Sequence, residues 1–529
     1  MLRDIAVSQP GRISSPKILA SSPQTSFLSF PFSRWTLLLS CLILPFRQSY
    51  ENYAVPVLAT SQELTPPSTR EIELDLKQGH FRLALEKAQK LVTLQPKNAL
   101  AFTYLGMASL HLRMLEQALQ AFEKSAVLDP KDTRPLLNLA LLHATRNDFD
   151  KAIENYQKAL ALEPGNRTAL FNYGKLLIGR NRFAEAAQTL KQAAKLDPED
   201  KEVRIILVQA LLSSGRRSEA RNETRNLLSS SRISPELLTS LAAILIRGQD
   251  LELANGVLKK ALLLSPNLVT AHLEASRLHA AMGQSERAIR SARQAVEISP
   301  NLLEAHLALA EAFMGGKRYL EALDSLSKVE PQFSNAAAFH YTAGIAQMRL
   351  NRLQPAIAAF ERAVQRDPSY DQAHFLLATV SYATGNMDKA ESAYKAAIRI
   401  NDRNPMYFAY LARVYDYRGP AFEDSALQAT QQALALDPTE PECNQRLAKW
   451  AIAKDDVAGA RTFLEKVVRE HAEFIPAQVL LAQLYGRLGL RQQAKGQQRI
   501  IRDLEAKAQE RLNESGASGP DGPRIVRPQ

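Results

Sequence analysis

Hydrophobic and polar residues follow a helical period over residues 133–166, in two successive blocks. Apolar or bulky residues recur at spacings of three and four, which places them on one face of a helix. They are Leu136, Leu139 and His143 in the first block and Phe149, Ala152, Tyr156 and Ala159 in the second. The polar stretch 146–148 separates the blocks. The segment therefore predicts two amphipathic helices joined by a short turn.

One alanine position of this segment recurs along the chain with a period of 34 residues. Its members are Ala84, Ala118, Ala152, Ala186, Ala220, Ala254, Ala288, Ala322, Ala356 and Ala390, followed after a shift of two residues by Ala426, Ala460 and Ala494. Most units also close on a proline. These prolines are Pro96, Pro130, Pro164, Pro198, Pro266, Pro300, Pro368 and Pro438. A fixed period of this length predicts that one two-helix unit is repeated.

The shared pattern of the units is a large residue, then Leu-Gly or Leu-Ala, a recurring alanine, an aromatic residue, another alanine and proline. This pattern resembles the tetratricopeptide repeat, over about thirteen units in residues 65–508. The resemblance implies an all-α fold, a right-handed α-solenoid in which each helix pair buries its apolar face on its neighbours. We therefore expect a leader and linker at 1–64, the solenoid at 65–508, and the end of a capping helix with a disordered tail at 509–529.

A few units depart from the average. Unit 201–234 lacks the closing proline and unit 303–336 has its proline early, at Pro331, so we expect soft joints at both. Unit 405–440 has a two-residue insertion in its internal turn, which we expect on a loop at one side of the solenoid. The first unit has a weak first helix, as terminal repeats often do. A charged helix at 499–512 is expected to cover the end of the stack.

The composition of the chain is compatible with the predicted solenoid and adds few constraints on its function. The net charge is +11 over 529 residues, but no run of lysine and arginine typical of nucleic-acid contact occurs. We therefore expect no nucleic-acid partner. The two cysteines, Cys41 and Cys443, lie in different regions, which excludes a disulfide framework and a Cys-x-x-Cys zinc ribbon.

The first 64 residues lie outside the repeat. A serine-rich stretch with few acidic residues leads to Arg34 and to an apolar run at 35–46, which is shorter than the ~20 residues of a membrane-spanning helix. This layout predicts an export signal with a cleavage site near Ala59, and hence a periplasmic, secreted or membrane-associated protein. The alternatives are a lipid attached to Cys41, an organelle transit peptide, or a cytoplasmic chain with a disordered amino terminus.

Catalytic motifs are missing from the sequence. It contains no Gly-x-Ser-x-Gly elbow, no glycine-rich phosphate loop and no His-Glu-x-x-His motif. We therefore expect no catalytic residue, no cofactor and no metal, in a protein that is not an enzyme. The adjacent glycines Gly315 and Gly316 are interpreted as turn residues.

Four histidines, His272, His306, His340 and His374, occupy one equivalent position in consecutive units. Equivalent positions on stacked helices lie roughly 10 Å apart, whereas the ligands of one metal ion lie ~2 Å from it, so a shared metal is excluded. Units such as 133–166 carry leucine at this position, which favours packing between helices. The alternative is that protonation of partly buried imidazoles loosens the central units in acid.

The resemblance implies that the first helix of each unit lines a concave ligand-binding surface. The predicted groove residues are Leu137, Leu141, Phe171, Lys175, Leu273, Arg277, Met314, Tyr341, Met348, Phe375, Tyr382 and Arg413. A lining of apolar, aromatic and methionine side chains favours an extended or helical peptide as ligand. The alternative is that several of these side chains pack against neighbouring helices. One subclass of the family holds a peptide's terminal carboxylate with lysine and asparagine; Asn138 and Asn172 match one such position, but the flanking units do not complete the clamp.

These features predict a non-enzymatic scaffold that binds a protein or peptide segment in the groove. The alternative is a regulatory or substrate-recruiting subunit of an enzyme complex, such as a glycosyltransferase or an envelope-assembly machinery. We expect a protein or peptide partner, and membrane association if the N-terminal segment is retained.

Overall fold

A computed structural model of the chain describes residues 67–229 and 233–514. Within these ranges all regular structure is helical. The described residues divide into two compact units, an N-terminal half that ends at Pro300 and a C-terminal half that begins at Asn301. The predicted leader, the tail after Glu514 and the predicted joint near residue 232 lie outside the described residues.

The N-terminal half consists of antiparallel helix pairs. They are α1 (Thr69–Lys77) and α2 (Phe81–Leu94), α3 (Ala99–His111) and α4 (Leu115–Leu128), α5 (Thr133–Thr145) and α6 (Phe149–Leu162), α7 (Arg167–Gly179) and α8 (Phe183–Leu196), α9 (Lys201–Ser213) and α10 (Arg217–Ser229), α11 (Pro235–Arg247) and α12 (Leu251–Leu264), and α13 (Val269–Ala281) and α14 (Ser285–Ile298). The short α1 agrees with the weak first helix predicted from sequence.

The C-terminal half continues the same arrangement with two irregularities. Its helices are α15 (Leu303–Gly315), α16 (Tyr319–Ser327), α17 (Glu330–Phe333), α18 (Ala337–Arg349), α19 (Leu353–Arg366), α20 (Asp371–Ala383), α21 (Met387–Ile400), α22 (Pro405–Arg418), α23 (Glu423–Leu436), α24 (Pro441–Ala453), α25 (Val457–Glu470), α26 (Ile475–Arg487) and α27 (Arg491–Glu514). We call the first helix of each pair its A helix and the second its B helix. The all-α solenoid of helix pairs predicted from the repeat is confirmed.

Local sequence sets the ends of the helices. The turn between α5 and α6 contains Asn147 with φ 66°, and the turn between α20 and α21 contains Gly385 with φ 80°. Glycine and asparagine tolerate this left-handed backbone better than other residues. At the start of the A helices, Asn98, Asn166 and Asp200 cap free N–H groups with their side chains.

The repeated small residues explain how closely the two helices of a pair approach. Ala152 and Ala356 are fully buried. Gly344 lies directly against the B helix, because a Cβ at this position would lie 2.7 Å from a ring carbon of Phe360. Gly106 stands in the same relation to Phe122, at 2.6 Å. Small residues at these sites are therefore required by the large aromatic residues that face them.

Both irregularities fall where the sequence departs from its average unit. Around Pro331 the B helix α16 ends early, at Ser327, and the short α17 follows it. In unit 405–440, Gly419 has φ 92° and a 3-10 turn covers Pro420–Phe422 before α23 begins. The insertion is therefore accommodated in the internal turn, as predicted.

The last helix differs from the expectation in one detail. The B helix of the final unit and the charged segment at 499–512 form one continuous helix, α27. Among the described residues, no helix combines the length and the hydropathy of a transmembrane span.

Candidate peptide-binding surface

The predicted groove residues of the C-terminal half lie on four successive A helices, α15, α18, α20 and α22. We use the name A-surface for the partly exposed side chains of these helices, which are Met314, Tyr341, Met348, Phe375, Tyr382, Tyr410 and Arg413. Tyr341 on α18 is half-buried, and its ring packs on Tyr370 at a centroid distance of 4.8 Å and on Phe360 at 6.1 Å. Other rings therefore support Tyr341, whose side chain remains partly exposed.

Phe375 lies at the centre of the A-surface. Its ring centroid is 5.1 Å from that of Tyr407, 5.2 Å from that of Tyr410 and 5.6 Å from that of Tyr394. Tyr407 is 3% exposed and Tyr394 is 1% exposed, whereas Phe375 and Tyr410 are half-buried. Offset and edge-to-face contacts of this kind add to the free energy of burial. The half-exposed rings are thus held in place by a buried aromatic layer.

The carboxylate of Asp371 holds this buried aromatic layer in place through hydrogen bonds. Asp371 Oδ2 accepts hydrogen bonds from the Tyr407 hydroxyl and from Asn401 Nδ2, both at 2.9 Å. Burial raises the pKa of Tyr407, and burial together with the charges of Asp371 and Glu311 raises the pKa of Tyr341 to about 12. These phenols are therefore neutral at physiological pH and remain hydrogen-bond donors.

The far end of the A-surface combines tyrosine with arginine. The Arg413 guanidinium lies over the ring of Tyr382 at 5.2 Å and over that of Tyr410 at 5.9 Å. Tyr417, which is 59% exposed, contacts Tyr382 edge-on at a centroid distance of 5.9 Å. These contacts hold a cation on an aromatic support at the surface.

Two methionines complete the predicted set in this half. Met348 is half-buried and packs against the hydrophobic cluster of α19–α23. Met314, on α15, is also half-buried.

The predicted groove residues of the N-terminal half form a smaller and mainly aliphatic surface. Leu137 and Phe171 are half-buried and pack against the main hydrophobic cluster of this half. Leu141 is half-buried as well, and Lys175 Nζ lies 5.1 Å from the ring centre of Phe171. Here one cation stands over one ring, without the buried aromatic layer of the C-terminal half.

The last two predicted residues of that half behave differently from the others. Leu273 is 2% exposed, so its side chain lies in the core and offers almost no surface to a ligand. Arg277 is exposed and forms an ion pair with Glu274 one turn earlier on the same helix. Leu273 illustrates the alternative noted above, in which a residue of the A helix packs against its neighbours.

The histidine series contributes a hydrogen bond that the sequence reasoning missed. The fourth residue of an A helix donates to the backbone carbonyl six residues earlier, in the joint between repeats. The pairs are Arg204–Pro198, His272–Pro266, His340–Ser334, His374–Pro368, Asn444–Pro438 and Gln478–Ala472. Because a carbonyl only accepts, Nε2 carries the proton in the three histidines. We call this contact the joint hydrogen bond.

The four histidines of the series are also packed between helices. His306 and His340 are 8% and 5% exposed, and His272 and His374 are half-buried. The sequence carries a signal for the joint hydrogen bond. In the six repeats named above a donor side chain stands six residues after the closing position, which is proline in four of them, and the type of donor varies.

Cys443 is buried in α24. Burial, with the neighbouring carboxylate of Glu440, raises the pKa of its thiol, so the sulfur is protonated and unreactive. In the part of the chain that the structure describes, no cluster of three histidine, cysteine, aspartate or glutamate side chains has the proximity that a metal ion requires.

Comparison with protein families identifies the repeat. A tetratricopeptide repeat model matches residues 69–133, 137–201, 273–337 and 341–405, and a second model of this repeat matches residues 177–244. The chain belongs to the tetratricopeptide repeat family. Residues 406–514 of this tetratricopeptide repeat protein match neither model, yet they form the same helix pairs, with Ala426 and Ala460 buried at the repeated position. The family and the fold make the chain a protein-interaction scaffold.

Solved tetratricopeptide repeat structures resemble the chain at low sequence identity. The Cut9–Hcn1 hetero-tetramer of the APC/C is 12% identical over 78% of this chain and 95% of that one, with a TM-score of 0.38. Yeast Tom70 is 17% identical over 79% and 97%, with a TM-score of 0.40. The MamA protein is 25% identical over 32% and 93%, with a TM-score of 0.29. The curated proteins contain no match.

Proposed function

We propose that the chain is a non-enzymatic scaffold that binds an extended segment of a partner protein on the A-surface of its C-terminal half. The observation that supports this proposal is the aromatic construction of the surface. Tyr341, Phe375 and Tyr382 are each partly exposed, and each contacts further rings at centroid distances between 4.8 and 6.1 Å.

Such a surface is suited to binding because its side chains are already ordered. A ring held by its neighbours loses little conformational freedom when a ligand covers it, so less of the binding free energy is lost. Met348 adds a flexible, polarisable side chain that adapts to irregular ligand shapes. The neutral hydroxyl of Tyr341 can donate a hydrogen bond to a carbonyl group of an extended peptide.

The aliphatic surface of the N-terminal half is a second, smaller contact region in this proposal. Leu137, Leu141 and Phe171 offer apolar area, and Lys175 adds a positive charge beside Phe171. It lacks the ring layer that supports Phe375, so we expect the C-terminal half to contribute more of the affinity.

The proposal is tested by site-specific photo-cross-linking of the full-length chain. A benzoylphenylalanine at position 348 or 382 is expected to cross-link one discrete partner band in extracts of the source cells. Matched controls carry the same group in place of Gln365 or Gln431, which are exposed on B helices. Equal cross-linking from both sets would overturn the proposal, because the A-surface would then have no preference over the B helices.

A substitution experiment separates binding from stability. Replacing Met348 and Tyr382 together by serine is expected to abolish the cross-link from a probe at position 345 and to leave the circular dichroism spectrum unchanged. Tyr341 and Phe375 are avoided, since both support other rings and their removal would perturb the fold. Retained capture by the double variant would place the binding site elsewhere.

A further inference from the structure

One charged side chain on the A-surface has no opposite charge bound to it. Among the described residues, no carboxylate lies within ion-pair distance of the Arg413 guanidinium, whose contacts are the rings of Tyr382 and Tyr410. Its arginine neighbours differ. Arg418 pairs with Asp388 and Glu391, and Arg446 pairs with Asp416.

The neighbouring carboxylates are already occupied or more distant. Asp416, one turn along α22 from Arg413, has its oxygen 2.6 Å from Arg446 Nε. Glu442 acts on Arg413 through its charge, without a direct ion pair. Arg413 therefore presents an exposed guanidinium that no carboxylate of the described residues pairs with, and tyrosine rings cover its face.

A second cation extends this feature by one repeat. Lys449 occupies on α24 the position that Arg413 occupies on α22, allowing for the insertion between them, and it is exposed. In the described part of the chain no ion pair of Lys449 is found either. Two positive charges without an ion pair among the described residues thus stand at equivalent positions of successive A helices.

Tyr410 joins the positive and the apolar parts of the surface. Its ring contacts both Phe375, at 5.2 Å, and the Arg413 guanidinium, at 5.9 Å. In an extended peptide, residues two or three positions apart are separated by roughly 7 to 10 Å. One peptide can therefore place one side chain on Phe375 and another on Arg413.

We propose that the A-surface binds an extended peptide with an acidic side chain two or three residues from a bulky apolar one. The carboxylate pairs with Arg413, and the apolar side chain packs on Phe375 and Tyr410. This inference rests on the proposed function, because it names the class of ligand for the same surface. Charge complementarity supports it: a bidentate arginine–carboxylate pair is strong, and the tyrosine rings that cover the guanidinium reduce its screening by water.

The first test uses a library of random twelve-residue peptides, each fused at both ends so that no terminal carboxylate is free. Selection on the full-length protein is expected to enrich aspartate or glutamate at a fixed spacing of two or three from phenylalanine, leucine or tyrosine. Selection on the Arg413→Glu variant is expected to replace the acidic residue by lysine or arginine. Because Arg413 is exposed, this variant should fold normally, which a thermal melt checks. An Arg366→Glu variant, which makes the same charge change at an exposed position of the B helix α19, is the matched control and should select the wild-type motif.

The second test measures coupling between the two charges. With a synthetic, amidated peptide of the selected sequence, Arg413→Gln or a Glu→Gln change in the peptide is each expected to weaken binding about tenfold. The two changes together should weaken it little further, since they remove the same pair. Binding of the wild-type pair should also weaken as salt rises.

The outcomes separate this inference from the proposed function. Enrichment of apolar peptides without an acidic residue, or independent effects of the two Gln changes, would overturn the inference and leave the scaffold function standing. If only a parallel library with free carboxyl termini enriches a sequence, the side-chain pairing is wrong. If neither the wild-type protein nor any variant enriches a sequence, both proposals fail.

Discussion

The A helices of the two halves place different side chains at equivalent repeat positions. At the fifth position of the A helix, two successive repeats of the C-terminal half have Tyr341 and Phe375, and the N-terminal half has Leu137 and Leu273 besides Phe171. Tyr341 and Phe375 are half-buried on a layer of other rings, whereas Phe171 has the Lys175 ammonium over its ring. The two leucines differ from each other, because Leu137 is half-buried and Leu273 is in the core.

This difference shows what an aromatic residue adds to a repeat surface. A ring can pack its edge or one face on another ring and keep its other face accessible, so it is fixed and exposed at once. A leucine side chain has no separate faces, so each further contact that fixes it also reduces its exposed area. The C-terminal half can therefore present an ordered apolar surface, while the N-terminal half uses most of its leucines for packing.

The largest expected effect comes from removing the central ring. Phe375→Ala should destabilise the C-terminal half by ~3 kcal/mol, because it leaves a cavity and removes three ring contacts. Leu137→Ala should destabilise the N-terminal half by only ~1–2 kcal/mol, since this leucine is half-buried outside a ring layer. Hydrogen exchange with mass spectrometry measures each half in the same chain, and equal losses would refute the structural difference between them.

A smaller effect is expected where the two helices of a pair approach most closely. In Gly344→Ala the new methyl group meets the ring of Phe360, and this overpacking should cost ~1–2 kcal/mol after the better helix propensity of alanine is counted. The matched control is Gly256→Ala in the N-terminal half, where the new methyl group meets open space. That change should stabilise by ~0.5–1 kcal/mol. Urea unfolding followed by circular dichroism gives both values, and a neutral Gly344→Ala would show that Phe360 moves aside without cost.

The joint hydrogen bond should contribute about as much as one ordinary buried hydrogen bond. His340→Leu keeps the bulk and leaves the Ser334 carbonyl without this donor, at a cost of ~1 kcal/mol. His340→Gln should recover most of the loss, because Gln478 makes the same contact in its own repeat. Thermal melts of the two variants decide the matter. If glutamine is no better than leucine, shape is what the position requires and the donor is irrelevant.

The smallest effect concerns acid. Burial, with the positive charges of Arg287, Arg290 and Lys259, lowers the pKa of His279 in the N-terminal half. The unfolded chain then binds the proton more readily than the folded one, so this histidine favours the folded state above ~pH 6.5 and that contribution is lost as pH falls.

His279→Gln tests this sign. The midpoint of urea unfolding should drop less between pH 7 and pH 5 in the variant than in the wild-type chain. A pH dependence that is unchanged by the substitution would assign the acid sensitivity to other groups, such as His111, whose pKa is also lowered by burial.

Much of the fold was predictable from the sequence because the same pattern of helix, turn and small-residue positions recurs in every repeat. The turn at 146–148, the buried position of Ala152 and the insertion near Gly419 all follow from the period and its interruptions. The continuous α27 was not predicted, since both of its parts are helical by pattern and nothing in the sequence marks a break or a join between them. The lengths of α16 and α17 also depend on local packing around Pro331.

The candidate site was predictable only as a set of positions. Spacing identifies which residues share one face of an A helix, and it placed Tyr341, Phe375 and Arg413 among the predicted groove residues. Spacing cannot tell how far a neighbouring helix covers a given side chain, which is why Leu273 was included. Nor does it show that Tyr407 and Tyr394 support Phe375, because these contacts join residues from different helices.

The joint hydrogen bond also has a mechanical consequence. Where the fourth residue of an A helix is Arg204, His340 or Gln478, its side chain hydrogen-bonds the helix to the connecting segment that precedes it. Where it is Leu136 or Leu170, no such hydrogen bond can form, because leucine has no donor. Under a stretching force, the joints of the N-terminal half that lack this hydrogen bond should therefore extend before the joints of either half that have it. The fourth residue of each A helix thus determines how easily its joint extends.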